Sequence, residues 1–174
     1  KLDVLHKLAA PSFEHWLGTD AFGRDIFTRI MYGGRATLAI GVGVVAIAFV
    51  VGVTIGMLAG FLGGWFDSVV MRIVDAILAF PALVLAIALA AAFGPSLENA
   101  MLAVAITLAP QFARVARSQA LSISVKPYVE AAVSAGTGAT RIMRVQVLPN
   151  ILQSLIVIGS IGFSSAILSA AGLS

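Results

Sequence analysis

Cysteine is absent from this chain of 174 residues, which removes disulfides, iron–sulfur clusters, thiolate zinc sites and thiol catalysis together. Charge is nearly as scarce: Asp, Glu, Lys and Arg make up 11% of the residues against 60% that are apolar, and the mean hydropathy is +1.04. That composition fits neither a disordered chain nor an ordinary water-soluble enzyme. Basic residues number 11 and acidic ones 8, so the pI of 9.8 does not describe a surface able to neutralise a phosphate backbone. Nucleic acid is therefore not expected as a partner; a lipid bilayer is. Only two histidines occur, His6 and His15, both in the polar amino-terminal arm and read as solvated. They are too few for a metal cage or a serine triad. No Walker-type phosphate loop is present, and Gly136-Thr137-Gly138 lacks the third glycine and the preceding strand of a dinucleotide fingerprint.

Long uncharged runs take the place of polar chemistry. A bilayer's hydrocarbon core needs about 20 apolar residues per helix, and four intervals stand out: 36–62, 73–93, 99–116 and 149–172. They are apolar on every face rather than striped at helical period, which predicts an all-α, polytopic membrane bundle of about four spans. Asp75 sits near the start of the second interval, Pro110 and Arg114 toward the end of the third, and Pro149 at the mouth of the fourth. The chain opens at Lys1 without a signal-peptide pattern and stops at Ser174 inside an uncharged run, so truncation at both ends is expected. Residues 1–35 read as a polar arm and 36–174 as the membrane domain, with a polar loop at about 117–148.

Gly52, Gly56 and Gly60 recur every fourth residue and fall on one helical face. That is the small-xxx-small pattern by which membrane helices approach closely, although glycine is also simply common in such helices. In projection, residues 20–31 place Phe22, Ile26, Phe27, Ile30 and Met31 on one half-circle and Arg24, Asp25, Thr28 and Arg29 on the other. An amphipathic helix in the headgroup plane is expected there, the alternatives being a solvated loop or a helix packed on protein. Gly94-Pro95-Ser96 marks a tight hairpin between the second and third spans.

Ionisable groups close to a bilayer need partners. Arg72 and Asp75 stand three apart on one helix face and are expected to form a structural ion pair. The loop between the third and fourth spans is long enough for two short helices, with Lys126-Pro127 opening the first and Gly136-Thr137-Gly138 breaking between them. Ala131, Ala132 and Ala135 give the first helix a low-relief surface, Glu130 adds a charge near its start, and Gly136 permits an abrupt exit. Such a hairpin is shaped to enter a groove on another protein; a structural surface loop is the plainer alternative.

Glu130-Ala131-Ala132, then Gly136, then Leu148-Pro149 resembles the EAA loop in the membrane subunits of ATP-binding-cassette importers. The segments 15–25, 71–81 and 113–119 are likewise similar to the second permease subunit of dipeptide, oligopeptide and nickel importers. The likeness runs from about Pro11 onward, with one departure: Gln146 stands where the general motif prefers an aliphatic residue. The resemblance implies a type I importer permease fold with its first and last spans missing. It implies a cytoplasmic loop in which Glu130, Ala131, Ala132, Ala135, Gly136, Leu148 and Pro149 couple to an ATPase. Expected partners are a second permease subunit, two ATP-binding subunits that hold ATP and Mg2+, and an extracytoplasmic substrate-binding protein. No cofactor or catalytic residue is expected in this chain. The location implied is the bacterial cytoplasmic membrane, with the amino-terminal arm outside. Charge favours that orientation only weakly, the arm holding five Lys and Arg against six for the coupling loop together with Arg72. Peptides are the expected cargo and nickel complexes the alternative. A stand-alone channel or secondary carrier would want an ionisable residue deep within a span, and a membrane-embedded enzyme would want clustered acids.

Overall fold

The computed structural model describes residues 7–173, so His6 lies outside it. Regular structure among the described residues is helical: α1 (Ile26–Leu62), α2 (Gly64–Leu78), α3 (Ala82–Phe93), α4 (Leu97–Ser124), α5 (Pro127–Ser134), α6 (Ala139–Ile142) and α7 (Leu148–Leu173), with a π-helical turn at Met143–Val147 between the last two. Among the described residues, three helical runs are long and apolar enough to cross a membrane: α1, α4 and Ala139–Ser169. The α2 and α3 pair makes a fourth if taken as one bent span. By internal packing the chain divides into two units, Lys1–Ile40 and Gly41–Ser174.

In the first unit, the expected amphipathic helix over 20–31 is replaced by a turn followed by the first turns of α1. Asp20 decides this. Its carboxylate accepts the backbone N–H groups of Phe22 (2.8 Å) and Arg24 (3.0 Å), folding the chain back on itself, and Gly23 adopts φ +71°. Asp25 then caps α1, accepting the Thr28 N–H at 2.8 Å and the Thr28 hydroxyl at 2.5 Å. The turn is held further by Arg24 and Arg29, whose guanidinium groups both donate to Asp20. His15 is half-buried, its Nδ1 lying 3.3 Å from Asp25 Oδ1, rather than solvated. Trp16 rests on Phe27, with ring centroids 5.1 Å apart.

Within the second unit α4 is central. It is the most buried of the membrane-length helices, and it packs on α2, α3, α5 and α7. The α1 contact is a backbone contact. A Cβ built at Gly52 would collide with the Ala109 carbonyl and lie 2.7 Å from Phe112 Cβ; at Gly56 it would lie 2.7 Å from Ala113 Cα; at Gly60, 2.6 Å from the Arg117 carbonyl oxygen. The register advances by four residues on both helices, so α1 and α4 run parallel here. Val147, at the end of the π-helical turn, and Ile151, Leu155, Gly162 and Ala166 on α7 form a buried stripe, and Phe112 of α4 packs 3.7 Å from the position of a Gly162 Cβ and edge-on to Phe49 at 5.7 Å.

The interval 73–93 is not one straight span. Pro81 cannot donate to a helix and disfavours helical conformation at Phe80, so the helices on either side meet at 96°. At roughly 1.5 Å per residue, neither alone reaches across a hydrocarbon core about 30 Å thick. The following hairpin is tied by Asn99, whose amide donates to the Phe93 carbonyl (2.7 Å) and the Gly94 carbonyl (3.2 Å), while the Ser96 hydroxyl caps α4 by accepting the Asn99 N–H. The third interval accordingly extends to Leu97 at one end and Ser124 at the other.

Two outcomes follow. Gly56→Ala should lower stability by about 1–3 kcal/mol, because the added methyl meets backbone that cannot yield, whereas Gly159→Ala, with nothing within 4 Å, should be neutral or slightly stabilising; reversible unfolding in detergent micelles measures both. For the arm, the Arg24 N–H above all, with the Phe22 N–H and both guanidinium groups, holds the Asp20 carboxyl well below the usual range against a smaller opposing effect of burial. Asp25 is lowered too, chiefly by the Thr28 hydroxyl and N–H, with His15 contributing and burial opposing. Depressed carboxylates stabilise the fold fully above their unfolded pKa and lose that effect as pH falls through the folded value. Amide exchange at Phe22, Arg24 and Thr28 should therefore stay protected at neutral pH and rise only below about pH 4.

Candidate functional site

The link after α4 begins with a sequence that can only start a new helix. Lys126 has extended backbone (φ −80°, ψ 143°), and Pro127 occupies the first helical position, where its missing N–H costs nothing. Lys126 then receives the Val129 N–H at 2.9 Å and the Glu130 N–H at 3.1 Å on its carbonyl. At the other end, Gly136 sits at φ +75° with its N–H on the Val133 carbonyl (2.9 Å), and the Thr137 N–H reaches the Ala132 carbonyl (3.0 Å). These two bonds form a Schellman cap, which demands a left-handed residue at the position of Gly136. Gly138 has φ −63° and makes no such demand.

α5 packs on α4 and α6 through Val129, which is fully buried, and Ala132, which is half-buried. Glu130, Ala131, Ser134, Ala135 and Gly136 are exposed, as is Tyr128. Of the residues singled out by sequence, four therefore share an open, mostly small-residue surface, and Ala132 faces inward instead. Leu148 and Pro149 lie on a different element, at the start of α7, half-buried and exposed respectively. Their local role is visible. The Leu148 N–H bonds to the Met143 carbonyl five residues back, and this wide turn relieves the crowding that the Pro149 ring would impose on the carbonyl of Val145. Gln146 lies in that turn with its Oε1 buried and without a hydrogen-bond partner among the described residues.

The expected Arg72–Asp75 pair does not form. Asp75 is instead held by Arg114 of α4 at 2.6 Å, because helix packing brings the longer-range partner to it, and Arg72 is exposed. A second pair joins the same two helices: Arg117 donates through Nε and Nη2 to both carboxylate oxygens of Asp67. Neither pairing is legible along the sequence. The available signal was the need of any charge near lipid for a partner, but the partners lie 39 and 50 residues apart.

Residues 52–174 match the family described as binding-protein-dependent transport system inner membrane component. Similar proteins include the dipeptide transport system permease protein of Alkalihalophilus pseudofirmus, 47% identical over 168 residues, which are 97% of this chain and 55% of that protein. The probable D,D-dipeptide transport system permease protein of Escherichia coli is 46% identical over 172 residues, 99% of this chain and 58% of its own. The glutathione transport system permease protein of Pectobacterium atrosepticum is 42% identical over 164 residues, 94% and 54% respectively. The chain thus spans little more than half the length of the curated relatives it matches.

The two glycines of the 136–138 break should respond differently to substitution. Gly136→Ala meets open space but a left-handed backbone, and should cost about 1–2 kcal/mol; Gly138→Ala should stay within about 0.5 kcal/mol of the parent. Hydrogen exchange at the Gly136 and Thr137 amides reports the difference, with about tenfold faster exchange expected only in Gly136→Ala.

Proposed function

Because this chain belongs to the family of binding-protein-dependent transport system inner membrane components, we propose that it is the membrane part of an ATP-driven peptide importer and that α5 is where ATP-binding subunits dock. One observation carries the reading: a preformed helix, opened by Pro127 and capped at Gly136, presents Glu130, Ala131, Ser134 and Ala135 outward immediately after the central helix α4. Small side chains let a groove on a partner close around it, and Glu130 supplies a charge for register. Leu148 and Pro149 then act at one remove, by setting how the α6–α7 run leaves the docking hairpin.

The parallel course of α1 and α4 supports the assigned topology. If α5 is cytoplasmic, α1 and α4 both run inward, the bent α2–α3 pair and α7 run outward, and the polar arm lies outside. Substrate would arrive there from an extracytoplasmic binding protein, and a second permease subunit would complete the path. The relatives named above serve dipeptides and glutathione, so peptides rather than nickel complexes are the cargo we assign.

ATP and Mg2+ belong to the docked subunits, which supply the energy; this chain's own residues receive and transmit it. Closure of the ATPases would shift the membrane helices only by the difference in their affinity for the two arrangements of α5. A rigid, capped helix suits that task, since a frayed one would absorb the displacement.

In vesicles carrying the full subunit with its partners, Glu130→Lys and Gly136→Leu should abolish uptake while leaving the amount of subunit in the membrane unchanged. Undiminished uptake by both would count against the docking role. Labelling of Ala135→Cys is expected from the cytoplasmic face, and labelling solely from the outer face would reverse the orientation.

A further inference from the structure

Three elements converge on Arg117. Its carbonyl oxygen abuts Gly60 near the end of α1, its guanidinium grips Asp67 in the first turn of α2, and α4 itself ends seven residues later, next to α5. Between α1 and α2 the chain turns on Gly63 (φ +65°) and Gly64 (φ +59°), with nothing within 4 Å of the place where either Cβ would stand. Such a turn has no side chain of its own to brace it, and its backbone ties are the Gly63 N–H on the Ala59 carbonyl (2.9 Å) and the Asp67 N–H on the Gly63 carbonyl (3.3 Å). The hold of Asp67 on α4 is the side-chain tie at the start of α2.

The two ion pairs joining α2 to α4 are not equivalent. Asp75 and Arg114 are 60% and 57% exposed, and a pair in that setting contributes little. Asp67 is 13% exposed and Arg117 33%, with both carboxylate oxygens engaged by one planar fork. Removing Arg117 leaves the enclosed Asp67 carboxylate without its partner, and removing Asp67 leaves Arg117 only the more distant Asp75. Of the two, the Asp67–Arg117 pair is the one able to hold a fixed geometry under load.

We propose that Arg117 is a positioning residue for transport: it passes displacement of α5 along α4 to α1 through its backbone and to α2 through Asp67. This rests on the docking role given to α5 above. A movement of α4 then swings α2 about the glycine hinge, and the bend at Pro81 carries that swing into α3.

The test uses the full-length subunit assembled with its ATP-binding subunits, second permease and binding protein in vesicles. Asp67→Asn and Arg117→Gln are expected to retain the bound ATPase and basal hydrolysis, while peptide uptake per ATP hydrolysed falls roughly tenfold. Arg117→Lys keeps the charge but loses the fork and should fall between. The charge exchange Asp67→Arg with Arg117→Asp should recover most of the ratio, and Asp75→Asn should leave it unchanged. Unchanged uptake per ATP in Asp67→Asn and Arg117→Gln would overturn the proposal. Loss of the bound ATPase in these variants and in the exchange would do so too, because the pair would then serve only to build the subunit. Failure of the docking role shows separately, as retained ATPase and full uptake in Glu130→Lys.

Discussion

Helices α1 and α4 lie backbone to backbone, and the remaining helices of the second unit are arranged around that contact. Lipid tails are as apolar as leucine, so burying leucine between two membrane helices gains little. Close packing of peptide groups gains more, through dispersion and through Cα–H groups directed at carbonyl oxygens. Gly52, Gly56 and Gly60 remove the side chains that would keep α1 away from the carbonyls of Ala109, Ala113 and Arg117. With α1 drawn in, α4 becomes the most buried of the span helices, and Phe112 can reach across to Gly162 of α7 and Phe49 of α1.

Polar groups divide according to what must be held. The Ser96–Asn99 hairpin and the Schellman cap at Gly136 satisfy backbone groups that helix ends leave over. The Asp67–Arg117 pair instead ties α4 to the start of α2, just after the positive-φ glycines that link α2 to α1. The same end of α4 thus carries the last of the three backbone approaches, at Gly60, the more enclosed of its two ion pairs with α2 and, a short link away, the exposed helix α5. The proposed transmission from α5 to α1 and α2 rests on that clustering.

Much of α5 could be read in advance because its limits are local. Pro127 starts it and Gly136 ends it, for reasons that involve only neighbouring residues. Its accessible surface could be guessed from Ala131 and Ala135, whereas Ala132 turns inward because Val129, one turn away, is the anchor on the rest of the fold. The amphipathic projection of 20–31 misled for a related reason. Periodicity counts Asp25 as a polar-face residue and gives Asp20 no role, while their carboxylates act on backbone N–H groups as a cap and a turn respectively.

Apolar runs of about bilayer length determined on their own that the chain is all-α and crosses a membrane several times, because unpaired backbone in hydrocarbon leaves no other option for them. Proline, glycine and capping residues likewise set where helices stop. Tertiary structure alone decided that Asp75 meets Arg114 rather than Arg72, that Asp67 is enclosed by Arg117, and that Phe80-Pro81 turns through a near right angle instead of a shallow kink. Each of these depends on which helix lies alongside at a given height. Composition and spacing along one helix hold no information about the distance to another.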